Sequence, residues 1–176
     1  MRTGQLCHFI ALMLVGSASL HCAAWAEPCG SDSTANARAA QPGAVLARAA
    51  APNNILAPTL FVDRLYRLTL LPRDKMTFPV TPDEKTLLSG GYAGLARLRI
   101  ARAGVYRISV SQPIGVAVEV HGDFINPMSS SVPPCAEFPE SLEYSLPRGA
   151  NLFLEISGAR VSNVQLTITR ASTPGG

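Results

Sequence analysis

Residues 106–120 read Tyr-Arg-Ile-Ser-Val-Ser-Gln-Pro-Ile-Gly-Val-Ala-Val-Glu-Val. Tyr106, Ile108 and Val110 alternate with Arg107, Ser109 and Ser111, and Val116, Val118 and Val120 alternate with Ala117 and Glu119. Successive side chains of a strand point to opposite faces, so this spacing predicts two strands, each with one buried face. Gln112-Pro113 between them reads as a turn, which predicts a hairpin. A slip of one residue would bring the apolar face of one strand onto the polar face of the other. The register that avoids this sets Tyr106 opposite Val120 and Ile108 opposite Val118. Arg107 would then face Glu119 on the solvent side.

The same alternation recurs at Leu142, Tyr144 and Leu146, at Leu152, Leu154 and Ile156, and at Val164, Leu166 and Ile168. It is less regular over Leu65–Leu71, Lys75–Val80 and Leu95–Ala101. Turn residues separate the runs, among them Pro72-Arg73-Asp74, Ser89-Gly90-Gly91, His121-Gly122-Asp123 and Pro147-Arg148-Gly149. About eight short strands with no helical stretch between them predict an all-β chain, an antiparallel, jelly-roll-like β-sandwich with a small barrel as the alternative. Composition agrees: of 176 residues 14 are Gly and 14 Pro, and 15% are charged, which disfavours long helices. A net charge of +3 is too small for a dedicated nucleic-acid binder.

Residues 1–26 read as a signal peptide. Arg2 supplies the positive end, Phe9–Leu20 is largely apolar, and Ala24-Trp25-Ala26 offers small residues before Glu27. A retained anchor is the weaker reading, because about a dozen apolar residues span a bilayer poorly. Lipidation at Cys22 is disfavoured by His21 before it. Cleavage would leave His121 as the one histidine, Cys29 and Cys135 as the two cysteines, and no tryptophan. No later stretch is long and apolar enough for a transmembrane helix. Residues 27–58 read as an irregular Ala/Pro-rich leader with at most a short helix around Val45, Leu46 and Arg48. The sandwich domain is expected over 59–171 and a disordered tail over 172–176.

Three stretches carry a resemblance: Ala103-Gly104-Val105-Tyr106-Arg107-Ile108, Ile114–Val120 and Cys135–Gly149. Over roughly residues 65–170 the chain resembles small secreted bacterial β-sandwich proteins similar to the bacterial pre-peptidase C-terminal domain. The resemblance implies an exported sandwich and a role for Cys135. Members of the group carry histidines in the loop before this cysteine and a lysine five residues after it. Here the loop is Ser129-Ser130-Ser131-Val132-Pro133-Pro134 and the lysine position is Glu140, so no role carries over to them. The group is often labelled homogentisate 1,2-dioxygenase, an enzyme type that holds iron with His and Glu. With one mature histidine, this chain is poorly equipped for it.

Candidate sites are sparse. In an oxidising compartment Cys29 and Cys135 are expected to form a disulfide, with two free thiols or a covalent dimer as alternatives. Arg97, Arg99 and Arg107 project from the polar faces of what read as neighbouring strands, a basic stripe for an anionic ligand. Neutralisation by Glu119 and Glu155 is the blander reading. Tyr92, in a Gly-rich loop, is the best candidate for an exposed aromatic, with Tyr66, Phe124, Phe138 and Phe153 behind it. Asp123, Glu137 and Glu140 could ligate calcium, and Glu137–Glu143 could supply a hydrolase acid/base pair, although solvent-facing acids explain them as well. A triad of Ser130, His121 and Asp123 lacks a nucleophile elbow, and His121-Gly122-Asp123 sits where a turn is expected.

The expected protein is therefore periplasmic or secreted and non-catalytic, without a cofactor or resident metal. Its expected work is binding or accessory, on envelope polysaccharide, lipid or another envelope protein. The alternative is an enzyme, either a carboxylate-based hydrolase or an oxygenase.

Overall fold

A computed structural model describes residues 46–80, 91–128 and 137–171. The expected signal peptide, most of the expected leader, Cys29, Cys135, Ser130 and residues 172–176 lie outside the described residues. Within them are eleven strands: β1 Leu46–Ala49, β2 Thr59–Phe61, β3 Leu65–Thr69, β4 Leu71–Pro72, β5 Tyr92–Ile100, β6 Gly104–Val110, β7 Gly115–Val120, β8 Asp123–Ile125, β9 Glu140–Leu146, β10 Gly149–Ala159 and β11 Asn163–Arg170. One sheet runs β1-β3-β11-β6-β9. The other runs β2-β5-β10-β7-β8, with β4 also on β5. The chain is all-β and consistent with a sandwich, as the alternation predicts.

The strands are more numerous than the eight expected, and both sheets are mixed. β1 lies parallel to β3, and β2 parallel to β5. Short edge strands of this kind carry too few alternating residues to be seen in a sequence. Lys75–Val80 is not a strand: Arg73–Lys75 makes a 3₁₀ turn, with the Met76 amide donating to the Arg73 carbonyl. Part of the presumed leader belongs to the fold, and where a short helix was expected the chain forms β1. Ala50 and Ala51 then pass from one sheet to the other: the Ala50 amide donates to Thr69 O, and Ala51 pairs with Leu95. A Cβ at Gly94 would come within 2.4 Å of Ala50 Cβ. The small residues that read as leader composition thus permit a close crossing.

The predicted 106–120 hairpin does not form. β6 pairs with β11 and β9, whereas β7 pairs with β10 and β8 in the other sheet. Gln112-Pro113 is a corner between sheets. Tyr106, Ile108 and Val110 therefore belong to the opposite wall of the core from Val116, Val118 and Val120, and all six are in the core or packed against it. Arg107 faces Glu143, with Nη2 2.8 Å from the carboxylate. The β7–β8 turn, in contrast, is where it was expected. His121 and Gly122 have φ values of 53° and 92°, the two positive angles of a tight type I′ hairpin.

Buried tyrosines tie the sheets together. Tyr66 Oη, from β3, accepts the Phe61 amide of β2 at 2.8 Å, and Tyr144 Oη, from β9, donates to the Val116 carbonyl of β7 at 2.7 Å. Burial, and then the negative charge of Glu140, push the Tyr144 phenol up to about 12, so it remains a neutral donor. Tyr144→Phe is expected to lose about 1 kcal/mol of unfolding free energy, read by urea denaturation, because the half-buried Val116 carbonyl loses this donor.

Candidate functional site

Sequence-adjacent strands repeatedly change sheets, so loops distant in the chain gather at two poles. Pairings Phe61↔Arg99, Gly149↔Ile100, Gly104↔Leu146, Arg170↔Tyr106 and Val120↔Leu152 bring one set of strand ends together. That pole holds the β2–β3, β5–β6, β7–β8 and β9–β10 connections and the end of β11. It carries Arg64, Arg99, Arg102, Arg148 and Arg170, all exposed, against the exposed acids Asp63 and Asp123. None of the five guanidiniums has a hydrogen-bond or ion-pair partner among the described residues. The other pole is mixed, carrying Arg73, Lys75 and Arg160 as well as Asp74, Glu137 and Glu140. Unpaired guanidiniums of one sign on one surface form a concentrated positive field suited to phosphate, carboxylate or sulfate groups.

This is not the stripe expected from Arg97, Arg99 and Arg107. Arg107 lies on the other sheet and is committed to Glu143, with Nε and Nη2 both donating to its Oε1. Arg97 is half-buried. Its guanidinium carbon lies 5.4 Å from the centroid of Phe153, and Nη2 donates to Asn54 O at 3.2 Å. Only Arg99 of the three belongs to the basic pole. Tyr92 begins β5 at the opposite end and packs half-buried against the core. Of the other aromatic candidates, Tyr66 and Phe138 are buried and Phe153 half-buried, while Phe124 is exposed. Phe61, 46% exposed at the end of β2, was not among the sequence candidates.

The calcium candidates are not brought together. Asp123 opens β8 at the basic pole, whereas Glu137 and Glu140 precede and open β9 at the other. No group of three or more His, Cys, Asp or Glu side chains that could hold a metal exists among the described residues. Glu143 is held by Arg107, which removes it from the presumed hydrolase pair.

Glu119 and Glu155 do not neutralise an arginine. Both lie on the outer face of the β5-β10-β7 sheet and are 3% and 1% exposed. Glu119 sits between Phe153 and Phe124, and Glu155 between Leu95 and Ala117. Glu119 Oε1 accepts the Gly122 amide, closing the hairpin turn onto its own strand. Among the described residues, Glu119 Oε2 and both oxygens of Glu155 have no hydrogen-bond partner. Burial raises the Glu155 carboxyl to about 7. The Val80 amide offsets part of this without reaching hydrogen-bond geometry, and the charge of Glu119 adds to it. Such a group makes a strong acid–base signature, but at 1% exposure it is closed to an external substrate.

No helix among the described residues is long and apolar enough to cross a membrane. Comparison with family models, curated proteins and solved structures returns no match.

Proposed function

We propose that the mature chain is an exported, non-catalytic β-sandwich module that binds an anionic component of the cell envelope through its arginine pole. The observation that carries this reading is the set of five exposed arginines, without a partner among the described residues, that separate strand ends and loops contribute to one pole. The N-terminal segment supports export to the periplasm or beyond. The same reading includes a Cys29–Cys135 bridge, which mass spectrometry of unreduced, alkylated protein would test. The enzyme alternative has less support, since Glu143 is engaged by Arg107 and Glu155 is buried.

The test is a binding screen of the mature protein against anionic and neutral envelope glycans and lipids. Expected is binding to anionic members that weakens from 0.1 to 1 M salt, as screening shortens from about 10 to about 3 Å. A variant with Arg64, Arg99, Arg102 and Arg148 changed to Gln should bind at least tenfold more weakly with an unchanged melting temperature. Failure of every anionic glycan and lipid to bind would overturn the proposal.

A further inference from the structure

We infer that the anionic component is a phospholipid surface, entered at its edge by apolar side chains beside the arginines; this rests on the binding role proposed above. Phe61, 46% exposed, is the cross-strand neighbour of Arg99. Phe124, 37% exposed, follows the Gly122 turn at the same pole. Ile55 and Leu56, 82% and 67% exposed, stand on the segment entering β2 at the level of Arg97, two residues along β5 from Arg99. They stand on ordered backbone. Asn53 Oδ1 accepts the amides of Ile55 and Leu56 at 3.1 and 3.2 Å, and Arg97 holds the Asn54 carbonyl.

This combination selects among anions. A soluble polysaccharide offers hydroxyls and charged groups, against which aliphatic Ile55 and Leu56 gain little. A bilayer interface offers phosphates to the arginines and an acyl boundary to the apolar side chains. Guanidiniums can remain at headgroup level while neighbouring apolar groups enter. The fixed turn at Asn53 means that little loop entropy is lost on docking. Asp63 and Asp123 are outnumbered at this pole, so its net sign suits an anionic leaflet.

The mature chain has no tryptophan, so Phe61→Trp introduces a single fluorescent reporter. The probes are phosphatidylcholine vesicles with and without about one-third phosphatidylglycerol, and dextran sulfate as a soluble polyanion. Expected is partition of this variant onto the anionic vesicles only, with a blue-shifted indole emission quenched by brominated acyl chains. Each arginine removed should weaken partition about fivefold, and Ile55→Ser with Leu56→Ser about tenfold. Binding to dextran sulfate without binding to vesicles would overturn the lipid assignment and leave the anion-binding role standing. Binding to neither would overturn both. Vesicle binding with no blue shift and no loss in the Ile55/Leu56 variant would overturn the apolar insertion.

Discussion

Glu155→Gln is expected to stabilise the folded protein by about 2–3 kcal/mol at pH 8 and by almost nothing at pH 4. The unfolded carboxyl titrates near 4.5 and the folded one near 7. Between these values the native state keeps a proton that the unfolded chain releases, so stability falls as pH rises through the window. Below about 4.5 both states are protonated and this contribution is fully present. Above about 7 the buried carboxylate is charged and the contribution is gone. A shift of this size has a ceiling of about 3 kcal/mol, and relaxation of the charged group toward water reduces it. Glutamine preserves the shape and never ionises. Urea unfolding of both proteins at pH 4, 6 and 8 checks this. A difference that does not grow with pH would contradict the assignment.

Gly91→Ala should cost about 3 kcal/mol or more, and Gly122→Ala about 1 kcal/mol. Gly91 has φ 82°, and a Cβ there would lie 2.2 Å from the Ala159 carbonyl oxygen. That oxygen belongs to buried backbone of β10, next to the register shift between Ile156 and Ala159 in its pairing with β5. The Gly91 carbonyl also accepts the Arg73 amide at 3.1 Å, so neither side can move freely. Gly122 has φ 92° but nothing within 4 Å of its added Cβ, leaving conformational strain alone. Thermal and urea unfolding of the two variants separates strain from collision. Equal losses would show that the Gly91 contact relaxes at little cost.

Neither glycine could be ranked from the sequence, where each is one turn residue among many. The arginine pole was hidden for a related reason. Arg64, Arg102 and Arg148 each stand alone in a short connection, and only Arg99 belonged to a pattern that drew notice. The aligned pattern that did draw notice, Arg97-Arg99-Arg107, assumed that β5 and β6 were neighbours in one sheet. Glu119 and Glu155 occupy outward positions by alternation, which reads as solvent exposure. Their burial follows from tertiary coverage of that face, which alternation does not report.

What the sequence determined by itself was which side of each long strand turns inward. Tyr106, Ile108, Tyr144, Leu154, Ile156, Leu166 and Ile168 were all placed in the core by period-two spacing, and all are there. That inference is secure because burying an apolar face is local to one strand and insensitive to its partner. Which strands pair, which turn is a hairpin and which is a corner, and which charges meet were decided only in the tertiary structure. Backbone amides and carbonyls are the same in every strand, so hydrogen bonding does not choose between β7 and β11 as a neighbour for β6. The choice falls to packing across the whole core, where facing β7 from the opposite sheet buries the same valines as lying beside it.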